Sequence, residues 1–383
     1  MSSSHSALVF GASGITGWAI AKEALKYPNP TTFDRVIALT NRPLMKADSL
    51  LPEDDRLQIY SSIDLSDGAA EVEKQLAGIE GIKDVTNVFF TAFIPSGHDG
   101  GADGIKANVD IIQNAVEAVE KLCPRFQTWN LQTGGMAYGV TFVRELGFPK
   151  TPLKESFPRI SEPYASQIMY YAQYDRLLEL SRGKFWKFVE VRPDGISGFV
   201  PSSNAMNIAH ALGIFFSFYA SREGSGASIP YPGPQAAFVA RHTDVHQAIL
   251  AHFHIYVSLY PGLKNGDTFN IGDEDSVSWE ELWPQLTSYF GLVSTEPDEN
   301  YTIESYINAH KSDFLAWIEK NGLRKQAVEK TNFTHITMMT NLAVFDRQYD
   351  LSKAREIGFM ETQKTIEGYL EVFKLMKKAK LIR

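Results

Sequence analysis

A strand-like run that turns on three glycines and enters a helical pattern places the strongest constraint on the fold of this chain. Residues 8–20 read LVFGASGITGWAI, with Gly11, Gly14 and Gly17 spaced G-x-x-G-x-x-G. The preceding ALVF predicts a buried strand, and ITGWAIAKEALKY has apolar residues at helical spacing. Strand, glycine turn and helix in this order open a βαβ unit, because glycine permits a sharp turn and close packing of helix on strand.

The same alternation continues through the first half of the chain. Further strands are predicted in RVIALTNR, LQIYSSIDL, VTNVFFTAF, FQTWNLQTGG and KFVEVRPDGISGF. Helical patterns lie between them, in AAEVEKQLAGI, GIKANVDIIQNAVEAVEKL and QIMYYAQYDRLLELS. The fold class is therefore α/β, a Rossmann-type doubly wound parallel sheet with helices on both faces. We expect residues 1–200 to form mainly this domain, and residues 201–383 mainly a smaller substrate-binding lobe and lid, with some segments returning to the core.

Composition excludes several other classes of protein. The formal net charge of −8 over 383 residues argues against nucleic acid or an anionic membrane surface as partner. The single cysteine excludes an internal disulfide and a cysteine-rich metal site. Since no apolar run is long enough for a bilayer and MSSSHS lacks the pattern of a secretory signal, we expect a cytoplasmic protein without a membrane span.

The histidine-rich stretch ARHTDVHQAILAHFH does not predict a metal site. No glutamate follows its first histidine in the way that H-E-x-x-H requires. We interpret its histidines as polar or core residues, with Thr243 or Asp244 as the N-cap of a helix.

The glycine turn predicts a dinucleotide site, because a helix N-terminus offers free N–H groups and a positive dipole end to a pyrophosphate. The end of the second predicted strand, ALTNRP, has no acid to bind a ribose 2′-hydroxyl and carries Arg42 instead. A guanidinium suits a 2′-phosphate, so NADP(H) is favoured, the alternative being that Arg42 is a solvated surface residue. Asp64 is a candidate partner for the adenine amine. The full set of predicted cofactor contacts is Gly11, Ser13, Gly14, Ile15, Gly17, Asn41, Arg42, Asp64, Leu65, Thr91, Ala92, Gln132, Thr133, Tyr170, Ile196 and Ser197.

The Tyr-x-x-x-Lys pair of short-chain dehydrogenases is absent from the helix where it is expected. In QIMYYAQYDRLL, Tyr170 is followed four residues later by Tyr174, and no lysine is present. A match far from this helix runs from Tyr349 to Lys353, and we interpret it as coincidental, on a C-terminal helix.

Several stretches along nearly the whole chain resemble one family. They are GASGITG, ALTNRP, DVTNVFFTAF, LQTGGMAYG, PRISEPYASQIMYYAQYDRL, VRPDGISGFVPSS, FNIGDEDSVSWEELWPQLTSYFGL and DLSKAREIGF. Together they are similar to the progesterone 5β-reductase/iridoid synthase-like (PRISE) group of atypical short-chain dehydrogenases. The resemblance implies that NADPH delivers hydride to the β-carbon of an enone or enal. It also implies that Tyr170 hydrogen-bonds the carbonyl oxygen as it becomes an enolate, and that Ile196 and Ser197 lie near the nicotinamide carboxamide.

The chain departs from this family at its second catalytic position. Where the family has lysine in LQTG-x-K-H-Y, this chain has Met136, which neither donates a hydrogen bond nor carries charge. Phe93 also replaces a tryptophan typical of the family. Three functions stay open: an NADPH-dependent reductase working through Tyr170, an NADP(H)-binding but redox-neutral cyclase or isomerase, and a non-catalytic NADP(H) sensor.

The predicted substrate pocket lies above the carboxyl ends of the strands. Methionine and phenylalanine in place of lysine and tryptophan indicate a small apolar substrate, of the kind found in secondary metabolism. A homodimer is left open. The predicted pocket residues are Phe93, Met136, Tyr138, Met206, Phe215 and Phe216, the last three as part of a lid, with core packing as the alternative for Phe215 and Phe216.

Overall fold

The structure is a computed structural model that describes residues 5–95, 101–202, 206–273 and 276–383. The opening residues 1–4 therefore lie outside the described part, as do parts of the stretches SSNAM and GDEDS. Across the described ranges, the strands are β1 (His5–Phe10), β2 (Phe33–Leu39), β3 (Leu57–Tyr60), β4 (Asn87–Phe90), β5 (Thr128–Gln132), β6 (Lys187–Arg192), β7 (Ile196–Ser197), β8 (Ser228–Pro230), β9 (Val245–His246), β10 (Asp267–Asn270) and β11 (Val293–Thr295).

Helices alternate with these strands and then dominate the C-terminal part. In chain order they are α1 (Ile15–Glu23), α2 (Lys46–Ser49), α3 (Ala69–Ala77), α4 (Ala102–Leu122), α5 (Val143–Leu146), α6 (Met169–Leu180), α7 (Ile208–Glu223), α8 (Gln235–Val239), α9 (Gln247–Leu259), α10 (Trp279–Tyr289), α11 (Ile303–Ala309), α12 (Lys311–Lys320), α13 (Lys325–Glu329), α14 (Phe333–Asn341), α15 (Ser352–Glu356) and α16 (Thr365–Lys378). Short 3₁₀ helices span Leu65–Asp67, Ile82–Asp84, Gly135–Tyr138 and Ala165–Gln167. No helix in the described ranges is long and apolar enough to cross a membrane.

Seven strands form a parallel sheet in the order β10-β6-β5-β4-β1-β2-β3. The chain leaves β1 toward β2 and β3 on one side and then crosses to β4 on the other. The strand order thus reverses between β1 and β4, which is the switch point where ligands of doubly wound sheets bind. The glycine turn follows β1 at this point, so the predicted α/β fold class is confirmed.

Both faces of the sheet are buried, which explains the continuous apolar strands. Ala7 and Val9 of β1 face one apolar cluster, and Leu8 and Phe10 face another. Helices α1 and α9 cover the first face, while α3, α4 and α6 cover the second.

The C-terminal lobe does not have a core of its own. The cluster that contains Ala7 and Val9 continues without a break through Trp18 and Phe199 into α7, α10, α12 and α16. Trp18 meets Phe199 edge-on with ring centroids 5.4 Å apart. The late strand β10 also returns to the central sheet beside β6. The division near residue 200 remains a prediction.

Candidate active site

The glycine turn after β1 is built for close approach of backbone to backbone. Gly11 has φ +82°, and a Cβ there would lie 2.8 Å from the carbonyl of Thr91 and from the amide nitrogen of Ala92. A Cβ on Gly17 would collide with the carbonyl of Gly11 and lie 2.7 Å from Thr91 Oγ1. Glycine is therefore required at both positions so that α1, the turn and the end of β4 can lie together.

The first turn of α1 fits a phosphate. Gly14 is its N-cap and supplies no side-chain cap, and no acidic residue lies in the first turn. The unsatisfied N–H groups and the dipole of a helix start attract an anion. Ser13 and Ile15 flank this N-cap, and their contact with a cofactor remains a prediction.

The loop after β2 carries Arg42 at the same edge of the sheet. Thr40 Oγ1 donates to the Arg42 carbonyl at 2.7 Å and contacts Ser61 Oγ at 3.2 Å, so the backbone of the loop is fixed. The Arg42 side chain is exposed and pairs with no carboxylate in the described residues. A free guanidinium on a fixed loop fits a phosphate partner.

Asp64 lies beyond β3 and caps the short helix that begins at Leu65. Its carboxylate accepts from the Ser66 backbone N–H at 2.9 Å and from the Ser66 hydroxyl at 2.6 Å. These hydrogen bonds, with a smaller contribution from Asn41, hold the pKa of Asp64 below its usual range. The carboxylate is thus ionised and fixed beside Asn41, and its role as an adenine partner remains a prediction.

A buried asparagine that sequence analysis missed holds the loop after β4. Asn108 of α4 accepts from the Ile94 N–H at 3.0 Å and donates to the Ile94 carbonyl at 2.9 Å. Thr91 donates to the Phe10 carbonyl at 2.8 Å, so Ala92 and Phe93 follow a pinned strand end. The sequence did carry a signal for this role, because Asn108 interrupts the apolar face of a predicted helix and a buried polar side chain needs hydrogen-bond partners.

Gln132 and Thr133, at the end of β5, are held in place by buried side chains of α9 and β6. Gln132 Oε1 lies 3.3 Å from Nε2 of the fully buried His254, and burial lowers the pKa of His254 to about 3. Thr133 donates to Glu190 at 2.7 Å, and that buried carboxylate also accepts from Arg192 at 2.8 Å. The carboxyl ends of β5 and β6 are thereby tied together.

Tyr170, at the start of α6, faces the carboxyl end of β5. A Cβ on Gly134 would lie 3.6 Å from the Tyr170 hydroxyl, which makes no hydrogen bond to any described residue. Burial, with a smaller contribution from the charge of Glu190, raises the pKa of Tyr170 to about 12. At neutral pH the hydroxyl is therefore protonated and available as a donor.

Met136 lies in the same apolar cluster as Tyr170. This Met136 cluster is centred on Ala137, Ile168 and Tyr171, and Met136 and Tyr170 pack against them. The nearby cation Arg192 is turned elsewhere, with its guanidinium 5.2 Å from the ring centre of Tyr138. The position of the family lysine is thus occupied by apolar packing.

Tyr138 and the residues after β6 are more constrained than expected. The Tyr138 hydroxyl donates to Asn270 at 2.6 Å, and burial raises its pKa to about 12. Ile196 and Ser197 form β7, which pairs with β9. The Ser197 side chain is fully buried and faces Gly368 of α16, so a contact of this residue with a cofactor would have to come from its backbone.

The lid prediction is wrong for two of its three residues. Phe215 and Phe216 are fully buried in α7, where Phe216 meets Trp283 with ring centroids 5.0 Å apart. The helix is apolar on nearly all sides because the lobe surrounds it. Met206, just before α7, is 57 % exposed and Phe93 is 45 % exposed, so both remain candidates for the pocket rim.

The histidine stretch also differs from expectation in its helix start. The N-cap of α9 is His246, whose ring nitrogen accepts from the Ala248 N–H at 3.4 Å, and not Thr243 or Asp244. Asp244 instead accepts a hydrogen bond from Tyr369 at 2.8 Å in the interior. Within the described ranges, no three histidine, cysteine or acidic side chains are grouped to hold a metal ion.

The structure brings one more tyrosine to this site, and sequence analysis had set it aside. Tyr349 precedes α15 and is not helical, whereas Lys353 lies on α15 and donates to the Thr268 carbonyl at 2.8 Å. The Tyr349 hydroxyl is 3.0 Å from where a Cβ on Gly135 would lie. A search for short motifs could not find this contact, because Gly135 and Tyr349 are more than two hundred residues apart in the sequence.

Comparison with known proteins decides the family. The PRISE-like Rossmann-fold domain matches residues 7–383 of this chain. The chain belongs to the PRISE family. The short chain dehydrogenase sirQ of Leptosphaeria maculans is 36% identical to this PRISE chain over 98% of the chain and 97% of that protein. The (S)-8-oxocitronellyl enol synthase ISY2 of Nepeta cataria is 25% identical over 98% of the chain and 91% of that protein.

Solved structures agree on the fold. The GDP-mannoheptose C4 reductase of Campylobacter jejuni, solved with NADP bound, superposes with a TM-score of 0.60 at 15% identity, covering 98% of this PRISE chain and 99% of that one. Its likeness concerns the sheet and its helices. The sequence relatives in Leptosphaeria maculans and Nepeta cataria confirm the prediction that the chain is an enzyme of the short-chain dehydrogenase type.

Proposed function

We propose that this protein is an NADPH-dependent reductase of the C=C bond of an apolar enone or enal. The observation that carries the proposal is the Tyr170 hydroxyl, protonated and without a described partner, at the carboxyl end of β5. A donor held in this way is suited to an oxygen that gains negative charge during a reaction.

The residues around the glycine turn support NADP(H) as the cofactor. The first turn of α1 offers free N–H groups to a pyrophosphate. The exposed Arg42 side chain offers charge to a 2′-phosphate, on a loop that Thr40 and Ser61 hold in place. In this proposal Asp64 and Leu65 would contact the adenine, and Gln132, Thr133 and Ile196 would contact the nicotinamide half.

NADPH would supply a hydride to the β-carbon. The π pair of the C=C bond would then form a double bond between the α-carbon and the carbonyl carbon, and the π pair of the carbonyl group would move to its oxygen. Tyr170 donates a hydrogen bond to that oxygen and stabilises the enolate. The Met136 cluster would place apolar side chains around this oxygen, and a low dielectric strengthens a hydrogen bond. The enolate then takes a proton, on carbon to give the saturated carbonyl compound or on oxygen to give an enol.

A redox-neutral cyclase or isomerase is the second candidate, and Met136 favours it. Among the described residues no cation contributes to the electrostatics of Tyr170, so the site would stabilise an enolate by one neutral donor and apolar packing. Such a site suits rearrangement of a reactive enol or polyene. The Nepeta cataria relative is an enol synthase, which supports chemistry at an enol in either case.

One experiment separates these candidates. The purified protein is incubated with NADPH and a panel of apolar enones and enals, and both NADPH oxidation and substrate loss are followed. One NADPH oxidised per substrate consumed supports the reductase. Substrate loss without NADPH oxidation supports the redox-neutral enzyme, and neither change with any compound contradicts both.

The role of Tyr170 is tested with Tyr170→Phe, which removes only the hydroxyl. Loss of one donor to an oxyanion lowers kcat on the order of 10²–10³-fold in other enzymes, and we expect at least about a tenfold loss here. Tyr174→Phe is the matched control, since this tyrosine on the same helix donates to the Gly266 carbonyl at 2.8 Å, away from the site. Unchanged turnover in Tyr170→Phe removes this residue from the mechanism.

A further inference from the structure

The residues after β6 are held by a segment from the C-terminal part of the chain. This segment, residues 346–351, runs between Leu153 and residues 241–243. Leu153 exchanges backbone hydrogen bonds with it, from the N–H of Leu153 to Gln348 and from the N–H of Asp350 to Leu153, both at 2.8 Å. The Tyr349 N–H donates to Thr243 Oγ1 at 3.0 Å. The 346–351 segment is thus fixed on both sides.

From this segment, two side chains reach the loop of residues 193–197. The Tyr349 hydroxyl donates to the Pro193 carbonyl at 3.2 Å. Arg347 Nε pairs with Asp194 Oδ2 at 2.9 Å, and both side chains are largely buried. The loop is also bound from β9 by the Val245 N–H, which donates to the Gly195 carbonyl at 2.8 Å. Two of these three anchors therefore come from residues 347 and 349.

Gly135 makes room for the Tyr349 hydroxyl. A Cβ at position 135 would lie 3.0 Å from that hydroxyl and 3.2 Å from Asp194 Oδ1. A side chain at 135 would thus push against the tyrosine and against the loop together. Gly134, the preceding residue, would place a Cβ 3.1 Å from the Pro193 carbonyl and 3.6 Å from the Tyr170 hydroxyl.

The Pro193 carbonyl therefore lies close to Gly134 and to the Tyr349 hydroxyl, and the Tyr170 hydroxyl lies near the same glycine. The two phenol groups are close enough to affect each other, since the charge of an ionised Tyr170 would raise the pKa of Tyr349 further. Tyr349 is 6 % exposed and has its hydroxyl engaged, so it acts on the loop and not on substrate.

We propose that Tyr349 is a positioning residue, which fixes the Pro193–Ser197 loop through the Pro193 carbonyl and so places the nicotinamide half of the cofactor beside Tyr170. The inference rests on the proposed use of NADPH. It assigns to Tyr349 a role that does not depend on the match to Tyr-x-x-x-Lys, because Lys353 is directed to β10.

The test compares two ligands that differ in the nicotinamide half. NADPH spans the whole proposed site, whereas adenosine 2′,5′-bisphosphate carries only the adenine half with its 2′-phosphate. Loss of one hydrogen bond that positions the loop should raise the Kd for NADPH about fivefold in Tyr349→Phe. The Kd for adenosine 2′,5′-bisphosphate should stay within about twofold, since that ligand does not reach the loop.

The matched control is Tyr231→Phe. Tyr231 is also fully buried and donates its hydroxyl to a backbone carbonyl, that of Thr340 at 2.9 Å, in the C-terminal lobe. Its loss should lower the melting temperature as much as Tyr349→Phe does, and leave both Kd values unchanged. The comparison separates a general loss of stability from a local effect on the loop.

A second variant probes the same contact from the other side. Gly135→Ala places a methyl group against the Tyr349 hydroxyl, so it should also weaken NADPH more than adenosine 2′,5′-bisphosphate. In the background of Tyr349→Phe, which lacks that hydroxyl, Gly135→Ala should weaken NADPH less.

Equal Kd values for NADPH in Tyr349→Phe and the unaltered protein overturn this inference, and so does an equal weakening of both ligands. Failure of the unaltered protein to bind either ligand overturns the proposed function, and with it the inference. Binding of both ligands by the unaltered protein keeps the two outcomes apart.

Discussion

Met136 and Tyr170 pack in one apolar cluster, so a substitution at position 136 should alter the electrostatic surroundings of the Tyr170 hydroxyl. A lysine at position 136 would bring a positive charge beside the Tyr170 hydroxyl. That charge would favour the ionised phenol and lower the pKa of Tyr170 from about 12. It would also favour an enolate oxygen bound by Tyr170.

We therefore predict that Met136→Lys raises the rate of NADPH-dependent enone reduction. One added charged donor to an oxyanion is worth up to about 10²-fold or more in kcat. The measurement is NADPH oxidation with an apolar enone under saturating cofactor. Burial of an ammonium among Ala137, Ile168 and Tyr171 should at the same time lower stability.

Met136→Leu is the control, because leucine keeps the apolar packing and adds no charge. Its rate should match that of the unaltered protein. A rate in Met136→Lys that is no higher than in Met136→Leu would mean that the methionine is not what limits reduction.

At the scale of single residues, the sequence predicted the residues that belong to a local motif. It did not predict the residues that act through contacts with parts of the chain far away in sequence. The turn glycines, Arg42 and Tyr170 occupy the positions that their local pattern indicates. Tyr349 and Asn108 act through contacts with other elements, which local spacing does not encode. Phe215 and Phe216 illustrate the opposite case, since an aromatic pair on a helix has the same pattern in a lid as in a core.

Among the elements, the loop after β2 is the one that we propose distinguishes NADPH from NADH. Its backbone is held by Thr40 and Ser61, so exchange of the Arg42 side chain should leave the loop in place. Arg42 then contributes charge alone to a 2′-phosphate.

We predict that Arg42→Ala weakens NADPH by about tenfold and leaves NADH almost unchanged, because only NADPH carries the 2′-phosphate. Titration of both cofactors by fluorescence gives the two Kd values. Lys46→Ala is the control, since this neighbouring lysine already pairs with Glu53 at 3.0 Å. Equal loss of NADPH and NADH affinity in Arg42→Ala would contradict a 2′-phosphate site here.

The strands of the sheet and the helices that cover it were predictable, because buried positions recur along each of them in a regular pattern. Strands covered on both faces are apolar throughout, and the helices between them keep an apolar stripe, as in α4. The start of α9 was not predicted, because its N-cap is a histidine and the usual capping residue nearby, Asp244, is directed into the interior.

At the scale of the whole molecule, a partly buried ionic contact joins distant parts of the chain. His252 of α9 lies between Glu23 of α1, at 3.0 Å, and Glu361, at 2.6 Å, and it stacks on Tyr27 with ring centroids 4.0 Å apart. Lys22 and Lys26 face Glu23 from α1 and the residues after it.

This contact gives stability a predictable dependence on pH. Burial alone would lower the pKa of His252, but the hydrogen bonds to Glu23 and Glu361 outweigh it and raise the pKa above 6.5. Burial alone would raise the pKa of Glu23, but its hydrogen bond to His252 and the charges of Lys22 and Lys26 lower this pKa to about 2. The charged His252 therefore makes its full contribution to the stability of the folded protein below pH 6.5. This contribution is lost as the pH rises through the pKa of His252 in the folded protein. The glutamate stabilises above its unfolded pKa of 4.5, and this is lost as pH falls toward 2.

We predict that His252→Gln lowers the free energy of unfolding more at about pH 6 than at about pH 9. Urea unfolding at the two pH values measures the difference. His335→Gln is the control with the opposite sign, because burial lowers the pKa of His335 and its protonation opposes folding at low pH. A cost of His252→Gln that does not change with pH would show that the histidine is neutral in the folded protein.

The sheet order has a consequence for how this protein is made on the ribosome. Strand β10 is the edge neighbour of β6, and Tyr349 binds the loop that follows β6. Domains generally fold as units during synthesis, beginning at the N-terminus. Here the first six strands leave the ribosome long before their last neighbour, so the early part of the sheet must wait with an uncovered edge. The proposed nicotinamide side of the site is thus assembled late, and chains that stop before residue 349 lack the Tyr349 contact to the loop after β6.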